Sequence, residues 1–414
     1  MIEKIKEMSL IKKIAIGIVI GAILGWLVPS WTFLSILGDL FVGALKAIAP
    51  LLVFMLIMSS LSKHKKGSQT HMKTVVVLYL LATFIAALTA VIACYIFPVK
   101  MILPDAVTGH KAPTGLKEIL TGILTSAVMN PFQALAEGNY LAVLFWSSML
   151  GFTLRSFGES TKKVISDLSG AVTEVVQIVI QFAPIGIIGL VYHSVAELGI
   201  KGLAQYGKLI ILVVGTMLFV AYIVYPFMVF VMIRQNPFPL TFYCMKESGI
   251  PAFFTRSSAV NIPINMELSE KLQLDKTSYS ISIPLGATAN SGGAAMTISI
   301  MTLATAWTLG MQVPFFLSFL LCLLSAISAT GVSGIAGGSL LLIPLACSLF
   351  NISNDIAMQV VGVGFIIGVI QDSVETAVNS ASDLLFTATA EFADLRRAGK
   401  PVDVNQRVRE AKQM

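Results

Sequence analysis

Charge is what this chain has least of. Asp, Glu, Lys and Arg make up only 12% of it, roughly half of the about 25% usual in soluble domains, which excludes a domain wrapped in a solvated surface. Cysteine is also sparse: Cys94, Cys244, Cys322 and Cys347 are scattered through apolar sequence without CxxC or Cys/His ligand spacing. That excludes a disulfide framework and a zinc site, and leaves four small buried hydrophobes. The four histidines, His64, His71, His110 and His193, fall at or near loop ends, and HExxH and GxSxG are both absent. No nucleophile stands beside a base in the sense covalent catalysis requires, so an enzyme is not expected. A net charge of +6 could suit nucleic acid. The basic residues instead form short clusters beside apolar runs, which is the pattern of membrane orientation, and no nucleic-acid partner is expected.

What remains is apolar: 56% of residues are hydrophobic and the mean hydropathy is +0.84. Spans are expected at 14–28, 38–61, 74–97, a broken stretch over 116–156, 164–192, 209–232, 278–307 and 356–390, each near the roughly 20 residues that cross a bilayer. The basic start MIEKIKEMSLIKK resembles a signal peptide in charge order, but no small-residue cleavage site precedes Trp26 and Pro29, so a retained first helix is expected. Basic clusters at Lys4, Lys6, Lys12 and Lys13, at Lys63, Lys65, Lys66 and Lys73, and at Arg155, Lys162 and Lys163 alternate with weakly basic loops, which puts these clusters and the N-terminus in the cytoplasm.

Two further apolar stretches break the count. Stretch 238–268 has basic residues on both sides, Arg234 and Lys246 before its middle and Lys271 and Lys276 after it, so it should enter and leave on the cytoplasmic side. Stretch 314–349 is flanked by connections without Lys or Arg and should enter and return on the outside. Their middles, TRSSAVNIP (255–263) and SATGVSGIAGG (328–338), carry the Ser, Gly and Pro of hairpin tips, and irregular backbone at membrane depth is tolerated where it lines a cavity. Two hairpins from opposite faces, each followed by a span, form an inverted repeat, which in transporters places a substrate at the midplane. Span seven is expected to unwind at Asn290-Ser291-Gly292-Gly293, since two adjacent glycines cost about 2 kcal/mol of helix stability relative to alanine.

The last span carries the chemistry. Within 356–390 sit Asp372, Glu375 and Asp383, and an ionised residue at a membrane helix centre costs about 2.5–3.5 kcal/mol. At 100° per residue Asp372, Thr376, Asn379 and Asp383 project at roughly 0°, 40°, −20° and 20°, one narrow stripe with Glu375 at its edge. Carboxylates aligned with an amide and a hydroxyl suit a small cation and the ammonium group of a small solute, and intramembrane carboxylates mark ion or substrate paths. Other intramembrane charges read structurally: Lys46 snorkelling or meeting a backbone carbonyl, Glu174 facing a polar groove, and the 394–414 tail a solvated end.

FVGALKAIAP (41–50), QFAPIGIIGLV (181–191), FFTRSSAVNIP (253–263), IPLGATANSGGA (283–294), ATGVSGIAGGSLLLIPLA (329–346) and QDSVETAVNSASD (371–383) together resemble the dicarboxylate/amino acid:cation symporter family, most closely its bacterial sodium/serine-threonine branch. The resemblance implies an all-α polytopic membrane protein with eight transmembrane helices plus two opposed re-entrant hairpins, an elevator fold like that of the glutamate-transporter homologues. It also implies a homotrimer in the bacterial plasma (inner) membrane, with both termini cytoplasmic. Residues 1–72 and 101–205 correspond to a static scaffold, 73–100 and 206–393 to a transport core that slides across the bilayer, and 394–414 to a cytoplasmic tail. The implied activity is sodium-coupled import of L-serine and L-threonine, with sodium ion as the coupling ion. By the same resemblance Asp372 holds the substrate's amino group, Asn379 its carboxylate, and Thr376 lies between them. Ser257, Ser258, Gly331, Val332 and Ser333 complete the clamp from the hairpin tips. Gly286, Asn290, Asn379 and Asp383 form one sodium site, and Thr288, Ala326, Ile327 and Ala329 a second.

Departures from the family pattern narrow the substrate. Acidic-amino-acid carriers place an arginine where this chain has Glu375 and a threonine where it has Ala294, so an acidic side chain would be repelled here and a small neutral hydroxy amino acid fits better, with Glu375 a candidate substrate-binding residue that accepts the hydroxyl proton or pairs with Arg256. Arg256, at a hairpin tip beside the two serines, is expected to pair with Glu375 or Asp372. Family members coupled to three sodium ions use an aspartate at the position of Gly292, with a tyrosine, threonine and serine that here read Tyr79, Ala82 and Thr83, so one or two ions are expected. The alternatives are a sodium- or proton-coupled carrier of another small amino acid or a dicarboxylate, and a channel, which would use a selectivity ring and need no closing hairpin.

Overall fold

A computed structural model describes residues 8, 10–62, 70–101, 103, 121, 125, 127–330, 337–400 and 402–413. Among them there is no strand. The chain runs through α1 (Leu10–Leu27), α2 (Ser35–Ser62), α3 (Thr70–Ile96), α4 (Pro131–Glu137), α5 (Tyr140–Leu154), α6 (Glu159–Gln181), α7 (Ala183–Leu198) and α8 (Ile200–Phe219). A π-turn at Val220–Val224 leads into α9 (Tyr225–Ile233), followed by α10 (Phe238–Cys244), a second π-turn (Met245–Gly249), α11 (Ile250–Thr255), α12 (Ile262–Lys271), α13 (Lys276–Ala289), α14 (Gly292–Thr308) and α15 (Phe315–Ala329). The order closes with a 3₁₀ turn (Gly338–Leu342), α16 (Ile343–Ser348), α17 (Asn354–Arg397) and α18 (Val404–Ala411). Five helical stretches, Thr32–Ser62, Lys73–Ile96, Glu159–Gln181, Tyr206–Ile233 and Asn354–Arg397, are long and apolar enough to cross a membrane, with shorter apolar helices such as Tyr140–Leu154 and Phe315–Ala329 between them.

Two sets of helices each pack mainly within themselves and meet where α17 lies on α2 and α7. In the first, α1 lies against α7, and α2 against α5, α6 and α7. The α1–α7 contact is close because Gly17, Gly21 and Gly25 recur one turn apart. A Cβ at these positions would fall 2.6, 2.6 and 2.7 Å from the carbonyl oxygens of Pro184, Ile188 and Tyr192, so small residues let the backbones touch. In the second set α17 is the axis: α8, α9, α11, α13, α14, α16 and the second π-turn all pack on it, while α3 lies on α14 and α15. At 44 residues α17 is about 66 Å long, more than twice a bilayer's hydrocarbon thickness. Nearly all of it from Ile356 to Ala393 is buried. Its polar stripe therefore faces protein rather than lipid.

The structure changes several sequence expectations. Span five is two helices, broken at Phe182 and reopened with Pro184 in the first turn of α7, where proline's missing N–H costs nothing. Span seven breaks only at Asn290 and Ser291. Gly292 and Gly293 are already the first turn of α14, where helix ends relax the penalty that glycine carries mid-helix. Lys46 neither snorkels nor meets a carbonyl but pairs with Asp355, and Glu174 lies on the exposed face of α6. The tail is not a solvated end. Val404, Val408 and Ala411 are buried against α10 and α12, and Gln235 bonds the carbonyl of Val402 and the N–H of Val404.

Candidate functional site

The site is built where α17 meets the two halves of span seven and the hairpin arms. Asp372 is 2% exposed. Its Oδ2 accepts from Arg256 Nε at 2.6 Å and Nη2 at 2.5 Å, and its Oδ1 from the N–H of Gly337 at 3.1 Å. Of the two partners open to Arg256 from sequence, the structure selects Asp372, not Glu375. Arg256 reaches it from the left-handed conformation, φ 53°, a strained choice for a branched-head side chain that persists only where surroundings enforce it. Here that is the helix end at Thr255 and the ion pair itself.

Glu375 is held by neutral donors. Its Oε2 accepts from Thr297 Oγ1 at 2.7 Å, Ser339 Oγ at 2.9 Å and Gln371 Nε2 at 2.5 Å. These three come from α14, the 3₁₀ turn in the return arm of hairpin two, and the preceding turn of α17. Sequence reading missed all three, and only Gln371, four residues before Glu375 and so on its face of the helix, left a signal. Thr376, on the stripe, donates back to the carbonyl of Asp372 at 2.8 Å. Asn379 Oδ1 accepts from the N–H of Gly293 at 2.7 Å. That bond fixes the amide so that its two Nδ2 donors find no acceptor among the described residues. The approach needs a glycine, because a Cβ at 293 would lie 2.9 Å from Glu375 Cγ and 3.0 Å from Asn379 Oδ1.

One turn on, Asp383 is 1% exposed. Its Oδ1 accepts from Asn290 Nδ2 at 2.9 Å, but its Oδ2 has no donor, and Asn290 Oδ1 is likewise buried without one. Gly286 abuts the pair: a Cβ there would fall 2.8 Å from Asp383 Oδ1 and 2.7 Å from the Tyr79 hydroxyl. Buried acceptors without donors cost free energy unless something positive satisfies them, and a desolvated cation does so. Gly286, Asn290, Asn379 and Asp383 thus come together, with two unmet oxygens among them, and fit a sodium ion. The Tyr79 hydroxyl lies near Thr387 Oγ1 at 2.9 Å and the carbonyls of Asp383 and Ser282 at 3.1 and 3.2 Å. A Cβ at Gly292 would fall 2.1 Å from the Tyr225 hydroxyl, so tyrosine fills the space beside that glycine.

Other expected residues are less gathered. Ser258 is buried and Ser257 half-buried, its Oγ accepting from the N–H of Val260 at 3.3 Å. Thr288 is exposed, its hydroxyl donating to the Leu285 carbonyl at 2.9 Å. Ala326 is half-buried, Ile327 exposed and Ala329 buried. The helix carrying these last three packs mainly on α14 and α3, not on the half-helix of Thr288. Gly331, Val332 and Ser333 lie outside the described residues. Hairpin one is tied to α17 through Asn261 Nδ2, bonded to Ser380 Oγ at 2.7 Å and Ser248 Oγ at 3.0 Å, and Asn265 Nδ2, bonded to the Ser380 carbonyl at 3.0 Å. Two asparagines one helical turn apart were the available signal for that seam.

Comparison with known proteins gives the chain's family. The serine/threonine transporter SstT of Enterococcus faecalis is 62% identical over 404 residues, covering 98% of this chain and 96% of its own length. Proteins of the same name from Lacticaseibacillus paracasei and Streptococcus agalactiae are 63% and 56% identical, covering 99% and 93% of this chain and 95% and 96% of theirs. A family model described as the sodium:dicarboxylate symporter family matches residues 10–391. With both matches running nearly end to end, the chain belongs to the sodium:dicarboxylate symporter family.

Proposed function

We propose that this protein is a sodium-coupled importer of L-serine and L-threonine. The observation that carries the reading is the unmet pair of buried oxygens on Asp383 and Asn290, directly below an amide, Asn379, whose donors are free for a substrate carboxylate. In this reading sodium binds Asp383, Asn290 and the main chain of Gly286 and Asn379. The substrate ammonium shares Asp372 with Arg256 through Oδ1, and Ser257, Ser258 and Thr376 line the approach. The second ion, at Thr288, Ala326, Ile327 and Ala329, binds only after hairpin two moves onto the half-helix of Thr288. Tyr225 beside Gly292 supports a stoichiometry of one or two sodium ions. One ion with a zwitterion carries one net charge, worth about 2.3 kcal/mol at 100 mV.

The set of α1, α2, α5, α6 and α7 acts as the scaffold of a homotrimer in the plasma membrane, and the helices around α17 as the sliding core, with eight spans, two re-entrant hairpins and both termini in the cytoplasm. The denser packing within each set than between them, and the cavity of about 320 Å³ at their seam, lined by Lys46, Asp355, His193 and Tyr206, support an elevator. The test is uptake of labelled serine and glutamate into proteoliposomes under inward sodium or potassium gradients. Serine should accumulate with sodium alone, and preloaded serine should give a counterflow overshoot. Equal uptake in potassium would overturn sodium coupling, and absence of overshoot would favour a channel.

A further inference from the structure

Glu375 differs from Asp372 and Asp383 in that three neutral side-chain donors converge on one of its oxygens. They meet Oε2 at 2.5, 2.7 and 2.9 Å. A carboxylate oxygen offers about two lone-pair sites, so three donors more than fill it. No donor among the described residues reaches Oε1. The cradle is interlocked: Gln371 Nε2 also donates to Thr297 Oγ1 at 2.9 Å, and the threonine's one proton lies between Glu375 Oε2 at 2.7 Å and the carbonyl of Gly293 at 3.2 Å, the shorter contact being to the carboxylate. Gln371, Thr297 and Ser339 are all essentially buried, so these bonds do not compete with water. Among the described residues no cation pairs with Glu375, and Arg256 is spent on Asp372. Gly293 lets α14 approach this side chain, since a Cβ there would fall 2.9 Å from Glu375 Cγ.

We propose that Gln371, Thr297 and Ser339 are positioning residues for substrate selection. By saturating Oε2 they leave Oε1 of Glu375 as a single fixed acceptor for the side-chain hydroxyl of the transported amino acid. This rests on the reading of a serine/threonine importer and deepens it by naming what distinguishes serine from alanine, which differs from it only by that hydroxyl. A buried acceptor held ready for a donor rejects the analogue that lacks it. Ser339 adds a consequence: it belongs to the return arm of hairpin two, so the acceptor is fully oriented only when that arm is seated against α17. Selection and hairpin position are therefore read by one carboxylate.

The experiment is competition of labelled L-serine uptake by unlabelled L-serine and L-alanine at saturating sodium. It uses equal amounts of purified, monodisperse full-length protein in proteoliposomes. Wild type should prefer serine by about 10-fold or more, the range expected when a hydroxyl-binding site meets a substrate without the hydroxyl. Thr297→Val, nearly isosteric, and Gln371→Met should each cut that preference by at least about threefold through the serine arm alone, with alanine inhibition unmoved. Thr297→Ser should restore it, and Ser339→Ala provides an independent arm should Gln371→Met not fold. Serine and alanine weakened equally, or Thr297→Ser no better than Thr297→Val, would mean a merely structural role and overturn the proposal. Glu375→Gln separates the layers. A changed preference there with none in the cradle variants defeats the positioning role alone. An unchanged one defeats the underlying view that Glu375 meets the hydroxyl, and the proposal with it.

Discussion

Asp383 and Glu375 stand about two turns apart on α17, both buried and both on a helix whose composition suits it to a membrane. Their surroundings are opposite. Around Asp383 acceptors outnumber donors: one amide N–H meets Oδ1, while Oδ2 and the Asn290 oxygen have nothing. Around Glu375 donors outnumber acceptors, with three on one oxygen. In the proposed reading the same residue chemistry is put to two uses. A carboxylate short of donors is completed by a cation. One already clamped by neutral donors is a fixed acceptor that orients a neutral partner.

Removing the cation-side carboxylate should have the largest effect. Asp383→Ala leaves a coordination set of neutral oxygens only, and sodium-dependent serine accumulation should fall by at least about 100-fold, some 2.7 kcal/mol. Uptake that still concentrates serine without a sodium gradient would break the comparison. The glycines beside each carboxylate sharpen it. Gly286→Ala drives a methyl to within 2.8 Å of Asp383 Oδ1, and Gly293→Ala to within 2.9 Å of Glu375 Cγ. The first should raise the sodium concentration for half-maximal uptake about 10-fold with a smaller change in serine KM, and the second the reverse. Parallel shifts in both variants would mean that the two clusters are one. Glu375→Arg comes next. It sets a cation among donors already aimed at an anion and near Arg256, and serine uptake should drop about 10-fold through KM. If that variant handles serine unchanged, selectivity lies elsewhere.

How much of this was legible before the fold? The stripe Asp372, Thr376, Asn379, Asp383 follows from 100° periodicity, because a long helix with no interior proline obeys that geometry. The break at Asn290 was legible too, though it was placed two residues too wide, because glycine is penalised mid-helix and tolerated in a first turn. Not legible were Thr297 and Ser339, which reach Glu375 from 78 and 36 residues away. Nothing local marks a serine or threonine as aimed across a helix interface rather than back at its own carbonyl, as Thr376 is. Nor did the sequence choose between Glu375 and Asp372 for Arg256, since that depends on where the hairpin tip lies against α17.

The tail misled for a related reason. Residues 394–414 read as polar and mixed in charge, yet Val404, Val408 and Ala411 recur at helical spacing and seat α18 across both arms of hairpin one. Asp403 caps that helix through the N–H of Gln406 at 3.1 Å, and Gln273 reaches Glu410 at 2.8 Å. This brace touches neither carboxylate cluster, so it supplies the control for the comparison. Val408→Asp puts a charge where a valine side chain is 2% exposed, and should cost on the order of 2 kcal/mol in stability. It should lower the melting temperature in detergent while leaving the sodium dependence and the serine-to-alanine preference of the surviving protein within about twofold of wild type. If either preference moves with stability, the brace is coupled through hairpin one to the site, by way of Asn261, Asn265 and Ser380, and the two clusters are not independent of the helix packing below them.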